Sequence, residues 1–527
     1  MTQITHLGYI TDDAVRLHGE RLAVIEDGLS LTYLELDARA NRVAGHLQAR
    51  GVRPGQRVAL LWPNEATYVE AVLGTMRSGA VAVPLNVKLG DEALKYVLQD
   101  SAAVALLAAP SALERAETLA GAGAFVSGPS DWAGLSPAFP RLPFDPDQVC
   151  FQPYTSGSTG RPKGVLLGHR GQLWCADVVR KWEMIDETDR ALVSAPLYHK
   201  NAGVTLKVFL IAGGSVVILP QFDVEETLRN IERHRCTYFG GVPAMFRLLL
   251  AHPGLDRYDL SSLRFATIGS ADVPADLVEE FEGRFGIPLM NGYGLTEGGP
   301  DVFVSPRFGI RKPSSLGPPL PGCEARIVSR EDQAVEVPVG EVGELWVRNP
   351  GVALGYHNLP ELTRERIRDG WLATGDLVRR DEDDYHYFLG RKDDLLNVGG
   401  ENVYPKEVEA ILLENELVRD CAVVGVPHPV KGTVPVAAVV TSQPGMLDEV
   451  TLKQYFFEHG PAYAHPRRIL FLTALPLGST GKLDRQQVAA LFAGPGSEDG
   501  GGADDEGSPG PDGPDEQSRD RRSTGNA

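Results

Sequence analysis

From about residue 20 to residue 390 the sequence alternates short apolar runs with amphipathic stretches, as in Arg57-Val-Ala-Leu-Leu61 and Val81-Ala-Val-Pro84. Continuous apolar runs of this length suit strands buried on both faces, and amphipathic stretches suit the helices that cover them, so the pattern predicts an α/β architecture. Near Gly340 to Val347 the pattern turns strand-like with turn residues, and after Gly390 a smaller unit begins. There Pro405 stands where a first helical turn starts, and Val408, Ile411 and Leu412 follow at i, i+3 and i+4, which predicts a helix. Cys421 to Val426, Pro435 to Val440 and Ile469 to Leu475 are short aliphatic runs bounded by Pro, Gly and charges, so this unit reads as α+β.

At roughly 100 to 200 residues per domain, a chain of 527 residues makes several structural units. The expected division is 1–392, 393–493 and a tail, 494–527. The tail holds nine acids, three bases and thirteen Gly or Pro, with Ala503 and Ala527 its only apolar residues, so it lacks the apolar surface to offset chain entropy and reads as disordered. A net charge of −19 argues against nucleic acid and anionic membrane surfaces as partners. The five cysteines lie far apart with no CxxC pair, and no basic stretch leads into an apolar one near Met1. The longest apolar candidate, Gly203 to Pro220, is interrupted by Lys207 and Gly213-Gly214, short of the ~18 uninterrupted residues of a membrane helix. A cytoplasmic protein with no integral membrane association is the expectation.

Five clusters carry chemistry. Tyr154-Thr-Ser-Gly-Ser-Thr-Gly-Arg-Pro-Lys-Gly-Val165 follows a short apolar stretch. Gly157 and Gly160 allow close backbone approach to an anion, the hydroxyls of Thr155, Ser156, Ser158 and Thr159 can donate to it, and Lys163 adds charge. It reads as a phosphate-cradling loop but not a Walker A loop, because the residue five after Gly157 is Pro162. Gly121-Ala-Gly123 and Gly292-Tyr-Gly294 each lack the third glycine of a dinucleotide fingerprint. In the second cluster, Asn291-Gly-Tyr-Gly-Leu-Thr-Glu297, Tyr293 can stack on a base, Thr296 can bond a phosphoryl oxygen and Glu297 can hold Mg²⁺; a structural turn explains the same residues.

The third, Ala373-Thr-Gly-Asp-Leu377, places Asp376 to accept from vicinal ribose hydroxyls, or simply in a strand-end turn. The fourth, Gly390 to Glu409, lies where the large unit hands over to the small one, and its charged pair before Gly399-Gly400 suits either a hinge or an ordinary linker. The fifth, Pro476-Leu-Gly-Ser-Thr-Gly-Lys-Leu-Asp-Arg485, presents Lys482 from a Gly-bounded loop.

In this order, together with Gly343-Glu-Leu-Trp-Val-Arg348, Gly355-Tyr356 and Asp369-Gly-Trp-Leu372, the clusters resemble the adenylate-forming superfamily of acyl-CoA synthetases, nonribosomal-peptide adenylation domains and beetle luciferases. The resemblance runs from about residue 20 to residue 490 and favours the acyl-CoA ligase branch. It implies a large N-terminal domain of two α/β subdomains plus a small β-barrel, and a mobile smaller α+β C-terminal domain. It also implies that ATP converts a carboxylic acid into an acyl-adenylate, whose AMP a thiol, usually that of CoA, then displaces. Two anions meet in the first step, so charge neutralisation and in-line positioning dominate and no protein nucleophile is needed.

On this resemblance Thr155, Ser156 and Lys163, within the Gly157 to Gly160 loop, would bind phosphates, and Thr155 would join Glu297 at the Mg²⁺. Tyr293 would lie against adenine, Thr296 at the α-phosphate, and Asp376 and Arg391 at the ribose. Lys482 would bridge the carboxylate and α-phosphate, Asp393 would be the hinge, and Gly399-Gly400 would line the pantetheine tunnel. Arg467 and Arg468 are candidate contacts for CoA phosphates.

For the acyl group, peptide-synthetase domains place an Asp near Pro196-Leu-Tyr-His-Lys-Asn201 to pair a substrate amine, whereas here His199 and Lys200 occupy it, which argues for a non-amino acid. His199 matches a gating residue near the carboxylate. Lys200 either pairs a second anionic group on the substrate or points to solvent, and solvent is the favoured reading. Gly240-Gly241 and Gly269-Ser270-Ala271 would line the pocket, the paired glycines leaving room for a broad, polycyclic or aromatic group. The expected activity is an ATP-, Mg²⁺- and CoA-dependent ligase. The alternatives are a chain that performs only thioesterification of an adenylate from a partner ligase, or one that loads a carrier protein; a homodimer stays open.

Overall fold

The computed structural model describes residues 5–121, 123–156, 161–271, 273–299, 301–398, 401–428, 431–478 and 483–493. Two large sheets form the body. In the first, the strands Leu289–Tyr293, Phe265–Gly269, Tyr238–Gly241, Arg190–Val193, Ser215–Ile218 and Leu22–Glu26 run parallel in that order, with Phe303–Val304 and Leu29–Thr32 antiparallel at the two edges. In the second, Val149–Phe151, Val81–Pro84, Arg57–Leu61, Ala105–Ala108 and Phe125–Ser127 are parallel neighbours. Pro162–Gly168 lies antiparallel beside Val149–Phe151 and pairs in turn with Gly355–Tyr356 and with Tyr154–Ser156.

The apolar runs of the sequence are these central strands, and one continuous core joins the two sheets through the helices Tyr33–Ala49, Ala66–Arg77, His169–Trp182 and Lys200–Ala212. Tyr33–Ala49 starts where local chemistry dictates. The Thr32 hydroxyl accepts from the Glu35 amide at 3.2 Å while the Glu35 carboxylate accepts from the Thr32 amide at 2.8 Å, a reciprocal cap. The apolar stretch after Gly203 divides into the end of Lys200–Ala212 and the strand Ser215–Ile218, with Gly213 at φ 79° terminating the helix. Among the described residues no helix is long and apolar enough to cross a membrane.

A third sheet of five antiparallel strands curls as a half-barrel: Glu324–Val328, Val342–Arg348 and Trp371–Arg380 in order, the last also carrying Ile367–Arg368 and His386–Arg391. A fourth sheet belongs to the smaller unit. It orders Glu401–Val403, Leu396–Val398, Gly432–Thr441 and Val418–His428, with Ile469–Leu472 parallel to Gly432–Thr441. The helix Pro405–Leu413 packs on it with Val408 and Leu412 buried. Sheet membership changes between Arg391 and Leu396 across the turn Lys392–Asp394. The expected tail, 494–527, lies outside the described residues.

Candidate active site

The site gathers at the C-terminal ends of the parallel strands of the first sheet, where ligands of open α/β sheets bind. The strand Leu289–Tyr293 ends in Gly294-Leu295 and a single 3-10 turn, Thr296–Gly298. A neighbouring loop pins that turn. The Ala353 amide donates to the Glu297 carbonyl at 2.8 Å, and the Asn349 side-chain amide donates to the Gly298 carbonyl at 2.9 Å. Gly299, at φ 78°, lets the turn approach Gly351, since a Cβ there would stand 2.7 Å from the Gly351 backbone.

Glu297 thereby meets the hairpin that carries the phosphate-loop sequence. Thr155 Oγ1 and the Tyr356 hydroxyl each donate to Glu297 Oε1 at 3.4 Å. Thr155 stands opposite Lys163 in the hairpin register. Gly157, Ser158, Thr159 and Gly160 lie outside the described residues, and of Ser156 only its place in the strand Tyr154–Ser156 is described.

On the other side, Tyr293 donates its hydroxyl to Asp376, and Arg391 ion-pairs the second oxygen of the same carboxylate. Asp376 and Arg391 are directly opposed across adjacent strands, so sheet register itself places the pair. The Asp376 amide donates to Thr374 Oγ1 at 3.0 Å, and the Thr374 hydroxyl donates to the Leu345 carbonyl at 2.7 Å. Burial raises the Asp376 carboxyl above its ordinary range, with Arg391 pulling the other way, and burial raises the Tyr293 phenol well above its own.

Asp393 is exposed in the turn between units. Its neighbour Lys392 ion-pairs Glu344 of the half-barrel at 3.1 Å, while Asp394 feels Arg485 of the smaller unit. Gly399, Gly400 and Lys482 lie outside the described residues. Arg468 is turned inward, donating to the Phe492 carbonyl at 3.1 Å, and Arg467 contacts His465.

Two cavities flank the helix Lys200–Ala212, which follows His199 at its N-cap. Asn201, Val204, Thr205 and Val208 face the first; Gly203, Leu206, Lys207 and Leu210 face the second, a division set by the 3.6-residue turn. Lys200 lines both. The second cavity is walled by apolar side chains such as Ile10, Val72, Met76 and Phe151, with His199 and Thr296 at its rim. The first lies beneath Gly292 and contains Glu183, Asp301, Tyr238, Thr267, Gly269 and Ser270.

The structure corrects two readings of the sequence. Lys200 does not point to solvent. It donates to the Gly294 carbonyl, and burial pulls its ammonium pKa down while Asp301, Cys175, Glu297 and Asp376 hold it up. The paired glycines leave no room. A Cβ on Gly240 would stand 2.6 Å from the Tyr238 hydroxyl, and one on Gly241 would stand 3.1 Å from Met245, so neighbouring side chains fill that space. Of the expected pocket residues Lys200, Gly269 and Ser270 line the first cavity, whereas Gly240, Gly241 and Ala271 do not. Ser270 adopts φ 63°, a strained conformation for a residue with a Cβ, at the end of its strand. Glu183 and Asp301 escaped the sequence reading. The one available signal was an acid set between Trp182 and Met184-Ile185.

The AMP-binding enzyme family matches residues 11–357, and the AMP-binding enzyme C-terminal domain matches residues 407–482. The chain belongs to the AMP-binding enzymes. Feruloyl-CoA synthase of an Amycolatopsis species is 39% identical over 485 residues, covering 90% of this chain and 97% of the relative. Indoleacetate–CoA ligase of Aromatoleum aromaticum is 34% identical over 480 residues, covering 88% and 93%. The ATP-bound MatB structure from Rhodopseudomonas palustris superposes with a TM-score of 0.88 at 32% identity, covering 93% of this chain and 99% of that one. The chain is thus an acid–thiol ligase of the acyl-CoA ligase branch, an AMP-binding enzyme that works with ATP, Mg²⁺ and CoA. The residues present fit such a metal, since Thr155 and Glu297 bring a hydroxyl and a carboxylate together, the hard oxygen donors that Mg²⁺ prefers.

Proposed function

We propose that this enzyme activates a cyclic, non-amino carboxylic acid as its acyl-adenylate and passes the acyl group to CoA, completing both half-reactions itself. The observation that carries the substrate class is the depth of the first cavity. Its wall on the helix Lys200–Ala212 extends from Lys200 to Phe209, nine residues or roughly 13 Å at 1.5 Å per residue. Tyr238, deep in the sheet, packs its ring 5.2 Å from that of Phe209. A ring with a short carboxyl-bearing arm fits such a depth better than a two- or three-carbon acid does. The names of the feruloyl and indoleacetate relatives support the same class.

In this reading the carboxylate lies by Lys200, which lines both cavities, toward His199 and Thr296 of the second, and the ring descends under Gly292 into the first. Asp376 and Arg391 hold the ribose, and Tyr293 lies against adenine. Thr155, Ser156, Lys163 and the Gly157 to Gly160 loop hold the phosphates. Thr155 and Glu297 hold the Mg²⁺, which when bound offsets phosphate charge. Lys200 adds a cation beside the meeting point of two anions, so it lowers their repulsion without itself reacting. Lys482 bridges carboxylate and α-phosphate, Asp393 is the hinge on which it is withdrawn, and Gly399-Gly400 line the path of the CoA thiol.

The test is acid-dependent exchange of pyrophosphate into ATP, a readout of adenylation alone, over a panel of aryl, alicyclic and short unbranched acids. Exchange with the cyclic acids well above that with the short ones is expected. Exchange confined to the short acids would overturn the substrate class.

A further inference from the structure

Glu183 follows the last residue of the helix His169–Trp182 and is 4% exposed, yet no described residue hydrogen-bonds or ion-pairs its carboxyl. Its backbone is held in place, with Arg307 donating to the Glu183 carbonyl at 2.8 Å. The side chain reaches the wall of the first cavity, in company with the Tyr238 and Thr267 hydroxyls, which are bonded to each other, and with Asn201, whose amide reaches toward Ser270. A carboxyl that lines a cavity and has no described protein partner is open to a hydrogen bond from whatever occupies that cavity, which points to a ligand that completes it.

Resting on the reading that this cavity receives the acyl group, we infer that Glu183 is a specificity-determining residue. It accepts the hydrogen bond of a neutral O–H donor on the far end of the acid, a ring hydroxyl, and thereby selects hydroxylated aryl acids over unsubstituted ones. Charge argues for a neutral donor over an ammonium. The cavity region already sets the Lys200 and Lys207 ammoniums against the Asp301 carboxylate, so a cationic substrate gains little there. Burial, with Asp301 adding to it and Arg307 opposing it, pushes the Glu183 carboxyl up to about 8, and a carboxyl held neutral both donates to and accepts from a hydroxyl. No covalent step is involved.

The test compares 3-phenylpropenoic acid with its ring-4-hydroxylated counterpart in the full-length enzyme with Mg-ATP and CoA, for wild type, Glu183→Gln and Glu183→Leu. A site built to bond a hydroxyl rejects the analogue that lacks it by orders of magnitude, so wild type should favour the hydroxylated acid by about 100-fold or more in kcat/KM. Glu183→Leu should bring that ratio to within about threefold of one, chiefly through KM, while Glu183→Gln, which keeps a donor and an acceptor, should retain most of it. A wild-type ratio near one, or a ratio unchanged in Glu183→Leu, would overturn the assignment while leaving the aryl-acid reading intact. Absence of turnover with both acids in wild type would overturn that reading and this inference with it. Should Glu183→Leu fold poorly, Glu183→Ala and calorimetric binding of the two acids give the same comparison.

Discussion

In the proposed reading, the nucleotide side and the acyl side of this site are built on opposite principles. On the nucleotide side the charged groups already hold one another: Asp376 has Tyr293 and Arg391, and Glu297 has Thr155 and Tyr356. On the acyl side Glu183 is buried with no such partner among the described residues. The first arrangement is set before any ligand arrives, which suits a nucleotide common to every turnover. The second leaves its polarity to be met by the substrate, which suits discrimination, because an ill-matched acid leaves a buried group unpaired.

Breaking the pre-formed side should have the largest effect. Asp376→Ala removes the acceptor of both Tyr293 and Arg391, and hydrogen bonds to charged groups are worth ~1.5–3 kcal/mol. The KM for ATP should rise about 10- to 100-fold in initial-rate measurements, with the ranking of acids unchanged; a reordered ranking would mean that the two sides are not separable.

The acyl side is sharpened through Glu183 and pH. Its folded pKa is raised from an ordinary 4.5 to about 8, so across that interval the native state keeps a proton that the unfolded chain has released. Stability should therefore fall as pH rises through this window, and Glu183→Gln should flatten that fall. Midpoints of urea unfolding near pH 5 and pH 8.5 check it: the variant should gain on wild type at the higher pH, and parallel profiles would remove Glu183 from the account.

The smallest effect concerns Gly240→Ala. The added methyl must displace the Tyr238 hydroxyl from Thr267, an overpacking cost of ~1–3 kcal/mol that a thermal melt should register. No loss would mean that the space is open after all.

The same contrast explains what was legible in the sequence. The α/β pattern, the strands Arg57–Leu61 and Val81–Pro84 and the helix Pro405–Leu413 follow from apolar spacing and from Pro at a helix start, which are local properties. The motifs of the nucleotide side are also local, since Tyr293 to Glu297 form one short segment and hydroxyls with glycines announce an anion by type alone, although the contacts of Thr155, Asp376 and Arg391 with that segment and with one another are not. The acyl side is not local. Glu183, Tyr238, Thr267 and Asp301 come from four separate segments, and only the stacking of strands and helix brings them to one cavity. Gly240-Gly241 misled because a glycine pair reads as empty space, whereas the Tyr238 hydroxyl, two residues away on the same strand face, occupies it. Lys200 misled because a lysine is usually solvated, and the backbone carbonyl that receives it, Gly294, is distant in sequence.

The central claim is that one chain carries a free cyclic acid through both half-reactions. Mass spectrometry of purified protein with Mg-ATP, CoA and aryl acids, run beside reactions supplied with the matching synthetic acyl-adenylates, tests it most directly. The account predicts acyl-CoA and AMP from the free acids themselves; acyl-CoA formed only from the supplied adenylates would contradict it.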